Sequence, residues 1–247
     1  MRIYITKIFA IITILYQNIY MFFSSIGSTC GNVWMFHLVT DKEEINYERE
    51  FSIKMNSFIA LIESAIENGF HFKSLDKLAE ATSKDIFITF DDGFKEVYSV
   101  VSPLLQKYSV PYCVFVTAEF IDSPGYLSKE ELLALSEDDL CTIGAHTLTH
   151  PRLKELRKDI AFREIQKSKV ILEKLLENPV EYFAYPYGDF FSVSQRDKKL
   201  VKKSRFKYAF STIPIPLNKR LIRKAIFIPR NNVNDDNCGK ILYRSEH

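Results

Sequence analysis

The feature that most constrains this chain is a regular exchange of short apolar runs, rich in β-branched and aromatic residues, with longer stretches of helical periodicity. "NVWMFHLV" from Asn32 reads as a first strand. Met55 to Asn68 carries apolar residues at helical spacing and meets a stop at Gly69. "SLDKLAEA" suggests a short helix, Ile86 to Phe90 a strand, Val97 to Tyr108 a helix, and "YCVFVT" a strand. A helix capped at Ser128, with Glu131 three residues on, precedes the strand "CTIGA". Leu153 to Leu176 is helical by periodicity, and "YFAY", "YAFS" and "AIFIP" read as later strands. Strands alternating with helices predict a mostly parallel sheet, open or closed. The 247 residues, 47% of them hydrophobic, suffice for one large domain, an α/β barrel included.

In such folds the carboxyl ends of the strands carry the chemistry, because side chains from separate strands converge there. At one such end "FITFDDGFKE" delivers Asp91 and Asp92 side by side, where like charges repel unless a cation or proton sits between them. At another, "GAHTLTHPRL" places His146 and His150 four residues apart. In one helical turn that spacing puts both imidazoles on the same side. Two histidines and one carboxylate make a three-ligand site with room for water, the pattern of a catalytic zinc. One aspartate can then ligate while its neighbour accepts a proton.

With these motifs the chain resembles the polysaccharide deacetylases of the carbohydrate esterase type. Their T-F-D-D-G motif is matched by Thr89 to Gly93, and H-[ST]-x-x-H by His146, Thr147 and His150. A third motif, R-x-P-Y-G, is partly present in "AYPYG", Ala184 to Gly188. The resemblance covers about Trp34 to Arg230. It implies a distorted (β/α) barrel of about seven strands and removal of N-acetyl groups from amino sugars of a glycan. It also implies a divalent metal, zinc first, held by Asp92, His146 and His150. Asp91 would be the general base, and the backbone N–H of Tyr187 would help hold the oxyanion.

Two departures matter. The family's motif arginine, which orients the base, is Ala184 here, and Arg230 in "FIPR" is the candidate replacement. The family's histidine in a carboxyl-terminal L-x-H is missing, since beyond His150 only His247 remains. In a closed barrel the last strand neighbours the first, so an early histidine can take the same place. His37 in "WMFHLVTD" is therefore the expected acid for the leaving amine, as in the permuted branch resembling poly-N-acetylglucosamine deacetylases. A catalytically impaired glycan-binding protein, with Ala184 as its best support, and an O-acetyl esterase are the alternatives.

Composition bounds the rest. A net charge of +2 gives no global reason to expect a nucleic-acid partner. The run Arg196 to Lys207 is strongly basic and reads as an exposed helix face, or as a surface for an acidic polymer or membrane. Cys30, Cys113, Cys141 and Cys238 lack metal-ribbon spacing, and Cys113 and Cys141 are expected as packed thiols. Residues 1–32, containing "IFAIITILYQNIYMFF", are expected to be a signal, an anchor or a packed helix outside a catalytic domain spanning 33–247. Membrane association through that segment or a cytoplasmic location is compatible with it, with secretion as the alternative.

Overall fold

A computed structural model describes residues 29–41 and 51–242. The expected apolar segment, up to residue 28, lies outside the described residues. The strands are β1 (Asn32–Phe36), β2 (Leu38–Val39), β3 (Ser52–Ile53), β4 (His71–Phe72), β5 (Asp85–Phe90), β6 (Tyr112–Val116), β7 (Cys141–Ala145), β8 (Tyr182–Ala184), β9 (Tyr208–Phe210) and β10 (Asn231–Asn232). Seven of them form a parallel sheet in the order β10-β1-β5-β6-β7-β8-β9, with β4 added beside the start of β5 and β2 paired separately with β3. One stretch of chain reaches both edges: Ile228 bridges Phe210 of β9, and Asn231 then pairs with Trp34 of β1. The sheet is thus curled into the distorted barrel that the alternating pattern and the resemblance predict.

The strands are buried on both faces, which is why they read as continuous apolar runs. Side chains alternate between two cores. Trp34, Phe36, Ile86, Ile88, Phe90, Val114 and Val116 pack outward under the helices, while Val33, Phe87, Cys113, Phe115, Ala184 and Phe210 fill the barrel. The helix Met55–Glu67 buries Phe58, Leu61, Ile62 and Ala65, a single stripe at helical spacing, and Phe58 meets Phe36 edge-on at 5.0 Å. Within the barrel Gly144 is required by close approach, because a Cβ there would lie 2.5 Å from the Phe115 ring.

Three local expectations need correction. The strand expected at "AIFIP" is a single bridge at Ile228, and regular pairing begins only at Asn231; Pro229 has no N–H to give a ladder. Val97 to Tyr108 is a π-helical turn, Val97–Val101, running into an α-helix, Ser102–Lys107, the change falling beside Pro103. Leu153 to Leu176 divides into a 3₁₀ turn, Leu153–Glu155, and a helix Lys158–Leu176, with Leu156 and Arg157 extended between them. Cys113 is buried, and all four cysteines are free. The Ser128 cap is a complete capping box with Glu131.

Candidate metal centre

β5 delivers the two aspartates. Its ladder runs one residue past the strand, since the Asp91 N–H donates to Phe36 O at 2.9 Å, so Asp91 keeps the inward direction of Thr89 and Phe87. Asp92 would then point outward, as strand alternation demands. Instead it lies in the left-handed region at φ +71°, followed by Gly93 at φ +82°. That turn breaks the alternation, and both carboxylates face His146: its Nε2 is 3.5 Å from Asp92 Oδ1 and 4.0 Å from Asp91 Oδ2.

His146 follows β7 and is buried. Its Nδ1 lies 2.9 Å from the carbonyl of Ala184. A carbonyl only accepts, so Nδ1 carries the proton and Nε2 presents a lone pair to Asp92. His150 reaches the same point by a different route from the helical turn expected. Thr147 (φ +65°) and His150 (φ +61°) are both left-handed, and the segment is a tight loop in which Thr147 Oγ1 accepts from the His150 N–H at 3.1 Å. The loop is fastened from outside by Glu164, whose carboxylate accepts from Leu148 N–H (3.1 Å), Thr149 N–H (2.9 Å) and Thr149 Oγ1 (3.0 Å). His150 Nε2 thereby stands 3.3 Å from Asp92 Oδ1.

Burial lowers both imidazoles to about 4, the nearby carboxylates opposing it only in part, so both rings are neutral at neutral pH. Asp92, His146 and His150 offer ligand atoms that all lie within 4.8 Å of one another. A tetrahedral ion with bonds of about 2.0 to 2.2 Å sets neighbouring donors roughly 3.3 to 3.6 Å apart, a range that holds the two separations from Asp92, 3.5 and 3.3 Å. The donor set therefore fits a divalent cation, and the proton on His146 Nδ1 leaves lone pair facing carboxylate, a repulsive arrangement that a cation relieves.

Arg230 lies fully buried inside the barrel mouth, its guanidinium 5.3 Å from the Phe115 ring centroid. It grips Asp91 with both arms, at 2.6 Å and 2.7 Å, and also donates to Thr89 Oγ1 (3.1 Å) and Ser211 O (3.0 Å). Burial alone would raise the Asp91 carboxyl, but the guanidinium charge, aided by His146 and by the two hydrogen bonds, holds it well below the usual carboxylate range. His37 follows β1 directly, packs edge-on against Phe51 at 4.8 Å, and bears electrostatically on Asp91 and His150. Tyr187 is left-handed (φ +60°) and half-exposed; its ring is 5.1 Å from His150 and stacks under the Arg152 guanidinium at 3.8 Å.

All seven expected residues thus meet at one end of the barrel. Sequence reading missed Glu164 and Arg152, and named Thr89 only as the first residue of a motif. A signal existed for the first: Glu164 falls on the buried stripe of its helix, with Ala161, Ile165, Ser168 and Leu172, where a carboxylate needs a reason.

Fold and site together define an α/β barrel protein whose strand ends assemble an Asp-His-His centre beside an arginine-clamped aspartate. The sequence pattern of the family described as polysaccharide deacetylase matches residues 79–208, and the chain belongs to that family. It is 28% identical over 141 residues to the poly-beta-1,6-N-acetyl-D-glucosamine N-deacetylase of Staphylococcus epidermidis, covering 52% of this chain and 48% of that one. The chain spans about half the length of the curated relatives it matches. Its fold is shared by the Streptococcus pyogenes deacetylase PplD in complex with acetate (TM-score 0.78, 18% identity, 89% of this chain and 99% of that one). It is shared equally by IcaB from Ammonifex degensii (TM-score 0.76, 19% identity, 90% and 99%).

Proposed function

We propose that this chain is a divalent-metal-dependent hydrolase that removes N-acetyl groups from amino sugars of a glycan. The carrying observation is the bidentate Arg230–Asp91 pair set against Asp92, His146 and His150. Asp92, His146 and His150 would hold the ion, zinc matching the donor set best; bound there, it supplies a Lewis acid that polarises the acetyl carbonyl and acidifies water.

The chain's own residues carry the rest. Arg230 occupies one lone-pair direction on each Asp91 oxygen and fixes the carboxylate plane, leaving the remaining directions to take the proton of the attacking water. The Tyr187 N–H, on a residue with a left-handed backbone beside His150, would donate to the oxyanion that forms. As the C–N bond breaks, protonated His37 gives its proton to the departing nitrogen, releasing the free amine and acetate.

Ala184 was the best support for a binding-only protein. Its carbonyl accepts a hydrogen bond from His146 Nδ1–H, and the guanidinium that its position lacks arrives instead from Arg230, which favours the enzyme reading. The test is acetate release from N-acetylglucosamine oligomers and from an O-acetylated glycan, with chelator and after metal is restored. Chelator-sensitive release from the N-acetylated substrate supports the proposal; release only from the ester would make the protein an esterase, and binding without release a lectin-like relative.

A further inference from the structure

Arg152 stands two residues past His150 and cannot itself ligate a cation. Its Nη1 donates to Ser192 Oγ at 2.6 Å, and its guanidinium lies 3.8 Å from the centroid of the Tyr187 ring. The anchor is itself fixed: Ser192 is fully buried, its N–H donates to Asp189 Oδ1 at 2.7 Å, and its carbonyl accepts from the Lys154 N–H at 3.1 Å. Arg196 and Arg230 each hold a buried carboxylate, Asp197 and Asp91. Among the described residues no carboxylate pairs with Arg152, and Ser192 occupies one of its five N–H donors. A guanidinium locked in place with most of its donors unused is poised for a ligand.

The surface beside it is aromatic and continuous with the metal centre. His150 is bordered by two further rings, Tyr187 at 5.1 Å and Phe120 at 6.5 Å. Tyr187 is 44% exposed on a left-handed backbone, a conformation that costs an aromatic residue free energy, and Thr212 Oγ1 donates to its carbonyl at 2.6 Å. A strained, pinned backbone thus keeps an aromatic ring at the barrel mouth, about one sugar-ring length from a candidate metal ligand. The loops around the mouth carry more acids than bases, Glu119, Asp122, Asp189 and Asp235 among the acids, so the surround does not favour an anion. A planar fork of donors beside a half-exposed ring matches instead two adjacent hydroxyls and the apolar C–H face of a pyranose.

We infer that Arg152 and Tyr187 form a subsite for the sugar next to the one that reacts. The guanidinium donates to a pair of adjacent hydroxyls, and the ring packs on the C–H face of the same pyranose. The substrate is therefore an oligosaccharide or polysaccharide, the free N-acetylated monosaccharide is a poor one, and Arg152 sets the preference for chain length. This inference rests on the de-N-acetylase reading of the centre.

The test compares kcat/KM for acetate release from N-acetylglucosamine with that from its β-1,4- and β-1,6-linked tetramers. The better tetramer should exceed the monosaccharide, and Arg152→Ala should cut that ratio roughly 10- to 100-fold, mainly through KM, the worth of hydrogen bonds to a charged group. Arg152→Gln keeps a donor for Ser192 and guards against loss of the loop; it should hold metal against a competing chelator as tightly as the unaltered chain and still show the reduced ratio. Arg152→Lys should resemble it, since an ammonium offers no planar fork. An unchanged ratio in all three variants overturns the subsite, as does a ratio that falls only in step with metal affinity. A ratio that Arg152→Lys keeps and about 0.5 M salt abolishes also overturns it, marking an anion site. Calorimetric binding of the tetramers in chelator separates the subsite from the reaction. If no substrate releases acetate, tetramer binding that Arg152→Ala weakens roughly 10-fold leaves the subsite standing while the catalytic reading falls, and binding that is unchanged or absent overturns both.

Discussion

Arg230 and Asp91, 139 residues apart in the chain, are joined inside the barrel mouth by two hydrogen bonds of 2.6 and 2.7 Å. Both are almost wholly buried, so neither charge has water to fall back on. Arg230→Ala should therefore cost about 3 to 5 kcal/mol in denaturant unfolding, because it strands a buried carboxylate. Arg230→Lys should lose less stability but most of the turnover, since an ammonium cannot hold both oxygens in plane. An Arg230→Ala protein of unchanged stability would remove the clamp from the account.

The ligand residues should separate cleanly from the base. Asp92→Asn, His146→Ala and His150→Ala are expected to lower metal content and acetate release together. Asp91→Asn should retain metal while turnover falls, because only the proton acceptor has gone. Elemental analysis beside the acetate assay decides this, and the reverse pattern for Asp91 and Asp92 would exchange their roles.

Glu164 offers a test of positioning. Glu164→Leu leaves the Leu148 and Thr149 amides without their acceptor, and the loop holding His150 should relax. Metal affinity, measured against a competing chelator, should fall roughly 10- to 100-fold, the usual worth of a group behind a ligand. Glu164→Gln keeps one acceptor oxygen for both amides and should recover most of the loss. Equal losses in both variants would show that the charge, not the hydrogen bonding, matters.

The two imidazoles fix a pH dependence. Both are lowered from 6.5 to about 4 by burial in the folded chain. Between those values the unfolded chain binds more protons, so stability of the metal-free protein should fall as pH drops from about 6.5 toward 4, by a few kcal/mol in all. Above pH 6.5 these groups should contribute no slope. Unfolding curves in chelator across that range would expose a flat profile if the imidazoles were already solvated.

Much of this is legible in the sequence. Strand-helix alternation gives the sheet, and Asp91, Asp92, His146 and His150 stand out because carboxylates and imidazoles at strand ends have few bland reasons to cluster. What sequence could not reveal was backbone sign. The H-x-x-x-H spacing suggests a helical turn, yet Thr147 and His150 are left-handed, a state for which bulky residues carry no signature. The late strand failed for a related reason, since "AIFIP" has strand composition while Pro229 denies it a ladder. Arg230 was nameable only as a candidate, because a partner 139 residues away depends on barrel closure.

His37 is the residue on which the permuted reading turns. It follows β1, whose Phe36 pairs with Phe90, so His37 and Asp91 leave adjacent strands at the same level. His37→Gln keeps polarity but cannot act as an imidazolium acid. If His37 protonates the leaving amine, fold and metal content should be kept while turnover on an N-acetylated sugar falls by roughly 10² to 10⁴. The loss should shrink for an activated aryl acetate, whose leaving group departs without a proton. A histidine that serves only to pack against Phe51 would instead lower thermal stability and leave turnover per folded molecule unchanged on both substrates. Large, equal losses on amide and ester with metal retained would mean that the substitution displaces the centre, and His37 would then be a positioning residue and not the acid.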